Sequence, residues 1–209
     1  MPGLRERKKR ATWAQLSGAA LQLAGVHGPD GVTVEQISKA AEVSARTFFN
    51  YFPSKEDAIL GTDPDRAARM RTRVTARPAE ETPLEVLQAA LTDLGGELAQ
   101  DPEAWRLRLR LVREHASLLP SYLAALATLE RTLTEALAER LGVDPEADPY
   151  PALAAAVAVS VSRTSFRRWH AEHGAVPLAE LLDQAFSALA RGLPPPPPQH
   201  SSAPAVPMR

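Results

Sequence analysis

A capping side chain stands directly before a proline, ahead of a helix-forming run, at Asp63-Pro64, Thr82-Pro83, Asp101-Pro102 and Asp148-Pro149. A carboxylate or hydroxyl oxygen accepts from the free N–H groups of a first helical turn, and a proline there gives up an N–H that has no partner anyway. Each pair precedes ten or more residues rich in Ala, Leu, Arg and Glu, which are strong helix formers. Two further helices are expected at about 120–141 and 177–191. The run Arg106-Leu107-Arg108-Leu109-Arg110-Leu111 alternates like a strand, yet Trp105, Leu109, Val112 and Ala116 fit a helical stripe behind a good cap, so it reads as helix. The fold class is all-α.

The first 55 residues are punctuated more tightly. Leu16, Ala20, Leu23 and Ala24 mark one face of a helix over about 5–27, stopped by Gly28 and Pro29. Thr33 with Gln36 has capping-box spacing and opens a helix at about 34–41. Ser44 caps a third helix at about 45–51, which must end before Pro53. Ser54 with Asp57 caps a fourth that starts at Lys55. Only Glu42-Val43-Ser44 joins the second and third, the spacing of a helix-turn-helix.

Charge agrees with that geometry. Residues 1–55 carry eight Lys/Arg against four Asp/Glu, whereas the whole chain has a net charge of −1. A basic head on an acidic body suits a nucleic-acid-binding module attached to something else; a solvated basic terminus gives the same count. In a helix-turn-helix the third helix enters the major groove N-terminal end first. Ala45, Arg46 and Asn50 would then face base edges, with Arg46 suited to guanine and Asn50 to adenine. Thr47, Tyr51 and Lys55 would donate to phosphates, and the free N–H groups beside Thr33 offer another phosphate site. A three-helix core without any DNA role has the same spacing.

The residues in that frame are specific. Gly31-Val32-Thr33-Val34-Glu35-Gln36-Ile37-Ser38-Lys39-Ala40-Ala41, followed by Val43-Ser44-Ala45-Arg46-Thr47-Phe48-Phe49-Asn50-Tyr51-Phe52-Pro53-Ser54-Lys55-Glu56-Asp57, closely resembles the DNA-binding domain of the TetR family of transcriptional regulators. The resemblance covers about residues 10–60. It implies about nine helices, a homodimer on a palindromic double-stranded DNA operator, and a ligand-binding C-terminal domain. It also places Thr33, Thr47, Tyr51 and Lys55 where that family contacts phosphate. Three positions depart from the pattern. Glu42 stands where a turn glycine is usual, Ala24 where a bulky residue packs the first helix, and Phe49 where many members have tyrosine.

The division expected is a helix-turn-helix DNA-binding domain at 1–54, a ligand-binding and dimerisation domain at 55–193, and a disordered proline-rich tail at 194–209. The helix starting at Lys55 is expected to be the rigid link between head and body. Pro120-Ser121-Tyr122-Leu123, the segment 133–140 and the Ala-rich helix ending at Trp169 resemble actinobacterial members of the mycofactocin-regulator type. That resemblance implies a long-chain acyl-CoA-like effector. Trp105, Leu109, Val112, Tyr122, Leu126, Phe166 and Trp169 are candidate pocket walls, and Arg108, Arg110, Arg163 and Arg167 candidate anion partners. The helix over about 149–172 is apolar nearly all round from Ala152 to Val161, so one side can meet the core and the other a partner. Ala154, Ala158 and Ser162 on it, with Leu178, Leu182 and Phe186 on the last helix, are the expected dimer interface.

Other functions find little support. The chain has no cysteine, which excludes thiol catalysis, Cys-ligated metal and disulfides. There is no glycine-rich phosphate loop, no Gly-x-Ser-x-Gly elbow and no His pair at i, i+4, so no enzyme activity, metal or cofactor is expected. His170, Glu172 and His173 come nearest to a metal site, at a helix end where histidines suit the dipole. No membrane-length apolar stretch and no secretory leader are seen, and a cytoplasmic protein is expected. The reading is a ligand-responsive, sequence-specific repressor. The alternative is a ligand-independent helical protein-interaction module with weak or no specific DNA binding.

Overall fold

The computed structural model describes residues 4–172 and 174–193, the side chains of residues 4–6 excepted. The tail at 194–209 and His173 lie outside the described residues. Ten α-helices are present among them: α1 Leu4–His27, α2 Val34–Ala40, α3 Ala45–Phe49, α4 Lys55–Leu60, α5 Arg66–Thr75, α6 Pro83–Leu98, α7 Pro102–Glu114, α8 Leu119–Leu141, α9 Tyr150–Ala171 and α10 Leu178–Ala190. Short 3₁₀ turns at Pro29–Gly31 and Ala116–Leu118 complete the described order, which contains no strand.

The caps act where the sequence puts them. Thr33 Oγ1 accepts from Gln36 N–H while Gln36 Oε1 accepts from Thr33 N–H, and Thr82 with Glu85 repeats this box at α6. Asp101 Oδ1 accepts from Ala104 N–H to start α7, and the alternating segment 106–111 lies inside that helix. Two pairs behave differently: Asp148 accepts from Tyr150 N–H and α9 starts after its proline without a side-chain cap, and Asp63-Pro64 also departs. Asp63 accepts from Asp65 N–H and from Arg69, and α5 begins two residues later than the dipeptide suggests. The helix from Lys55 and the one expected after Asp63-Pro64 are separate, as the sequence has them. α4 stops at Gly61, which takes φ +66°, and Thr62 N–H closes the turn on Asp57 O at 3.0 Å. The described residues thus hold ten helices, one more than the family resemblance implies.

Two apolar cores form. The body core joins α5, α6, α8, α9 and α10 around Leu87, Leu91, Leu133, Leu137, Leu182 and Phe186. The head core holds Leu16, Ala20, Ala24, Ile37, Phe48, Phe52 and Ile59, and it also takes in Leu111 and Leu118 from the body. Small residues on α1 make room for that intrusion: a Cβ added at Gly25 would lie 3.1 Å from Leu107 of α7. Ala24, buried on the same helix, is thus one of several small residues against which the body packs its own bulk.

The turn between α2 and α3 settles how Glu42 is accommodated. Glu42 takes φ +51°, its N–H donates to Lys39 O, and Val43 N–H donates to Ser38 O at 2.9 Å. This is the usual helix-ending loop with glutamate in the left-handed position, a conformation costing roughly 1–2 kcal/mol for a residue with a Cβ. Glu42→Gly is expected to raise the unfolding free energy by about 1 kcal/mol, the glycine's larger unfolded-state entropy offsetting part of the relief. Chemical denaturation checks this, and a destabilised variant contradicts the strain.

Candidate DNA-binding head and ligand cavity

α3 is a five-residue helix fixed at both ends. Ser44 Oγ accepts from Thr47 N–H at 3.0 Å, and Phe48 is fully buried, packing on Phe52 with ring centroids 5.8 Å apart. With Phe48 inward, Arg46 and Asn50 face solvent and Ala45 is half-buried. The Arg46 guanidinium makes no hydrogen bond or ion pair among the described residues. Asn50 terminates α3 instead of lying within it as the expected span of 45–51 had it. Phe49 is 58% exposed on the same surface and packs edge-on against Phe48.

The four expected phosphate donors are placed unequally. Thr33 is exposed at the start of α2, and Thr47 is half-buried with its hydroxyl 2.9 Å from that of Ser44. Tyr51 is half-buried. Lys55 has an internal task that its sequence position did not reveal: Nζ donates to the carbonyls of Pro29 and Val32, both at 2.9 Å. It clamps the loop before α2 onto the start of α4, and one of its three donors remains for a phosphate.

Behind the head, α4 to α9 enclose a cavity of about 100 Å³. Nine of the eleven candidate pocket residues line it, namely Trp105, Arg108, Leu109, Val112, Tyr122, Leu126, Arg163, Phe166 and Arg167. Trp169 does not. It is buried in the body core beneath the Arg106 guanidinium, 5.4 Å from the ring centroid, because the turn of α9 that carries it faces away from the cavity. Arg110 is likewise elsewhere, on a surface groove between α1 and α7, whereas Arg167 lines the cavity. Burial pushes the Tyr122 hydroxyl pKa up, against the pull of Arg163 and Arg167.

Among the lining residues not anticipated for the cavity, three are polar: Thr62, Arg66 and Ser162. A signal for Arg66 exists in the sequence, since it stands one and two turns before the buried Met70 and Val74 on the same stripe. Thr62 Oγ1, Arg66 Nε, Trp105 Nε1 and Ser162 Oγ are buried and have no hydrogen-bond partner. Buried polar atoms normally have one.

The expected dimer residues face inward. Ala158, Leu182 and Phe186 are fully buried, Ser162 and Leu178 nearly so, and Ala154 is half-buried against the body core. This corrects the expectation: the stripe that repeats every three to four residues on α10 packs on α6 and α9 of the same chain. The opposite side of α9 stays open, with Ala152, Leu153, Ser160 and Thr164 exposed and Ala156 and Val157 half-buried.

Comparison with known proteins agrees with this layout. Residues 17–60 match the family described as bacterial regulatory proteins, tetR family, and residues 81–194 match the MftR C-terminal domain family. The HTH-type transcriptional regulator TcmR of Streptomyces glaucescens is 35% identical over 175 residues, 81% of this chain and 77% of that protein. Among solved structures, the TetR-family repressor FadR of Thermus thermophilus with lauroyl-CoA has a TM-score of 0.51 at 24% identity, over 90% of this chain and 97% of that one. FadR of Bacillus subtilis with stearoyl-CoA has a TM-score of 0.51 at 22% identity, over 86% and 98%. These two show the fold. No helix among the described residues is long and apolar enough to cross a membrane. A helix-turn-helix head with an open Arg46, set on a hollow helical body, is thus matched at both ends by one lineage: the chain belongs to the TetR family and is a DNA-binding transcriptional regulator, not a helical interaction module without DNA specificity.

Proposed function

We propose that the chain acts as a homodimeric repressor whose hold on a palindromic operator is relieved by an amphipathic organic anion, the class to which acyl-CoA-like effectors belong. The observation that carries this reading is the cavity: its lining is mostly apolar, it contains four arginines and no acidic side chain, and it abuts the end of α4. Its free space of about 100 Å³ is small beside the ~300–1,000 Å³ usual for sites that hold drug-sized ligands. An effector must therefore favour a wider conformation. That is the differential affinity a switch requires, since a ligand binding both states equally shifts nothing.

The lauroyl-CoA and stearoyl-CoA bound by the two FadR proteins support the effector class, and the open side of α9 supports the dimer. Leu153, 63% exposed, and Tyr150, 47% exposed, stand at one end of that side, with Ala156, Val157 and Ser160 following. Small residues there let a second copy of the helix approach closely. The family's two-fold pairing would set two α3 helices into successive major grooves. DNA is the partner of the head and the protein itself of the body, and a regulator that binds DNA suits the cytoplasm.

On a selected operator, Arg46→Ala is expected to relax preference at one base position by about 1–3 kcal/mol, measured as relative affinities for single-base variants. Equal loss on every sequence would remove Arg46 from base reading. Lys55→Ala should weaken all sequences alike and also lower stability, because the Pro29 and Val32 carbonyls lose a charged donor worth roughly 1.5–3 kcal/mol per bond. Leu153→Asp should yield monomers in sedimentation with helicity retained, and a persistent dimer would move the interface elsewhere.

A further inference from the structure

The cavity wall holds two cations with no carboxylate in direct contact, although Asp63 and Glu97 act on Arg66, and Asp101 on Arg108, from further away. Arg108 donates through Nε to Ile59 O at 3.0 Å and through Nη2 to Ser17 Oγ at 3.1 Å, both neutral acceptors. Arg66 donates to Gly61 O at 3.4 Å, and its buried Nε has no partner. Neither makes an ion pair with a carboxylate among the described residues. The two lie within electrostatic reach of each other, and burial lowers the pKa of both below the ordinary arginine value. Partly buried charges of like sign, facing a cavity without a single acid, are costly unless something anionic joins them. Arg163 and Arg167, in contrast, are exposed and solvated.

We infer that the head-side end of the cavity, at Arg66 and Arg108, is a seat for the carboxylate of the effector, whose apolar body lies along Leu91, Leu94, Leu126 and Phe166. The inference rests on the effector reading above and makes it narrower. A free acid enters with its charged end foremost, whereas an acyl-CoA would leave its phosphates outside on Arg163 and Arg167. Donor counting leaves room for the acid. Of the five guanidinium hydrogens of Arg108, two serve Ile59 and Ser17, and three remain, enough for a bidentate carboxylate on the Nη1–Nη2 edge. Thr62, with its unpartnered buried hydroxyl, lies beside the same end.

The seat also touches the head. Ser17 belongs to α1, and its hydroxyl, which accepts from Arg108, donates to Ala58 O of α4 at 2.9 Å. At Gly61 an added Cβ would meet the Arg108 guanidinium at 3.1 Å and Ser17 Oγ at 3.2 Å, so this junction has no slack. A carboxylate drawing Arg108 into the cavity pulls on α1 and α4 together.

The test titrates full-length protein with dodecanoate, dodecan-1-ol and dodecanoyl-CoA by calorimetry. Wild type is expected to bind dodecanoate at least about tenfold more tightly than the alcohol, as a charge-assisted bidentate contact requires. Arg108→Gln should reduce that ratio to below about twofold, while Arg108→Lys, which keeps the charge but not the bidentate fork, should fall between the two. A merely structural role for Arg108 would lower stability and leave the ratio unchanged, and that result overturns the seat. Ser17→Ala should lose a larger fraction of the dodecanoate-induced release of operator, measured at saturating dodecanoate, than of the dodecanoate affinity. An undiminished release would overturn the route through Ser17. Binding of dodecanoyl-CoA alone would overturn the acid seat and leave the effector reading standing. If none of the three binds, the effector reading fails and the seat falls with it.

Discussion

The last carbonyls of one short helix tie the DNA-binding head to the rest of the molecule. α4 has six residues, too few for its late carbonyls to find partners further along the same helix. Ala58 O accepts from Ser17 of α1, Ile59 O from Arg108 of α7, Gly61 O from Arg66 of α5 and Thr62 O from Trp13 Nε1 at 3.3 Å. Four elements therefore meet on one turn, which exists only because Gly61 takes a left-handed conformation and leaves space where a Cβ would collide. Leu111 and Leu118 reinforce the same junction by completing the head core from the body side. A head of some fifty residues buries too small a core to be secure by itself, so its geometry is set by what α7 does.

The surface around that junction is pinned by ions. Lys9 pairs with Asp65 at 3.0 Å, linking the basic start of α1 to the loop between α4 and α5. Arg69 bridges Asp63 and Glu97, and Arg73 also pairs with Glu97. Burial opposes the Asp63 carboxylate, but hydrogen bonds from Arg69 and from Asp65 N–H hold its pKa below the ordinary range. These groups are partly exposed, and each pair contributes modestly; their effect is to fix where α5 departs after the break. The acids of the body thus sit outside against arginines, while the cavity within keeps arginines without acids.

Much of this was legible in the chain because capping is local chemistry. Thr33, Ser44, Ser54, Thr82 and Asp101 each bond the N–H three residues on, and a reader needs only the spacing to see it. The head was legible for the same reason, and most of the residues expected at a pocket lie around the cavity. What escaped depends on non-local packing. A stripe of Leu178, Leu182 and Phe186 reads alike whether it meets its own chain or a second copy, and only the positions of α6 and α9 decide. Ser162 read as a close-packing residue and lines the cavity instead. Lys55 read as a phosphate ligand because its internal carbonyl partners lie more than twenty residues away. Asp63-Pro64 signalled the break after Leu60 but not that α5 starts two residues later, because Asp63 is taken up by Asp65 N–H and Arg69.

The account stands on a two-fold pair of heads, each reading bases through α3. Selection of bound duplexes from a random DNA pool, with the purified full-length protein at near-physiological salt, tests that most directly. An enriched inverted repeat with half-sites about one helical turn apart is the result the account predicts. Enrichment of a single asymmetric half-site, or no enrichment by a folded and dimeric protein, would contradict it.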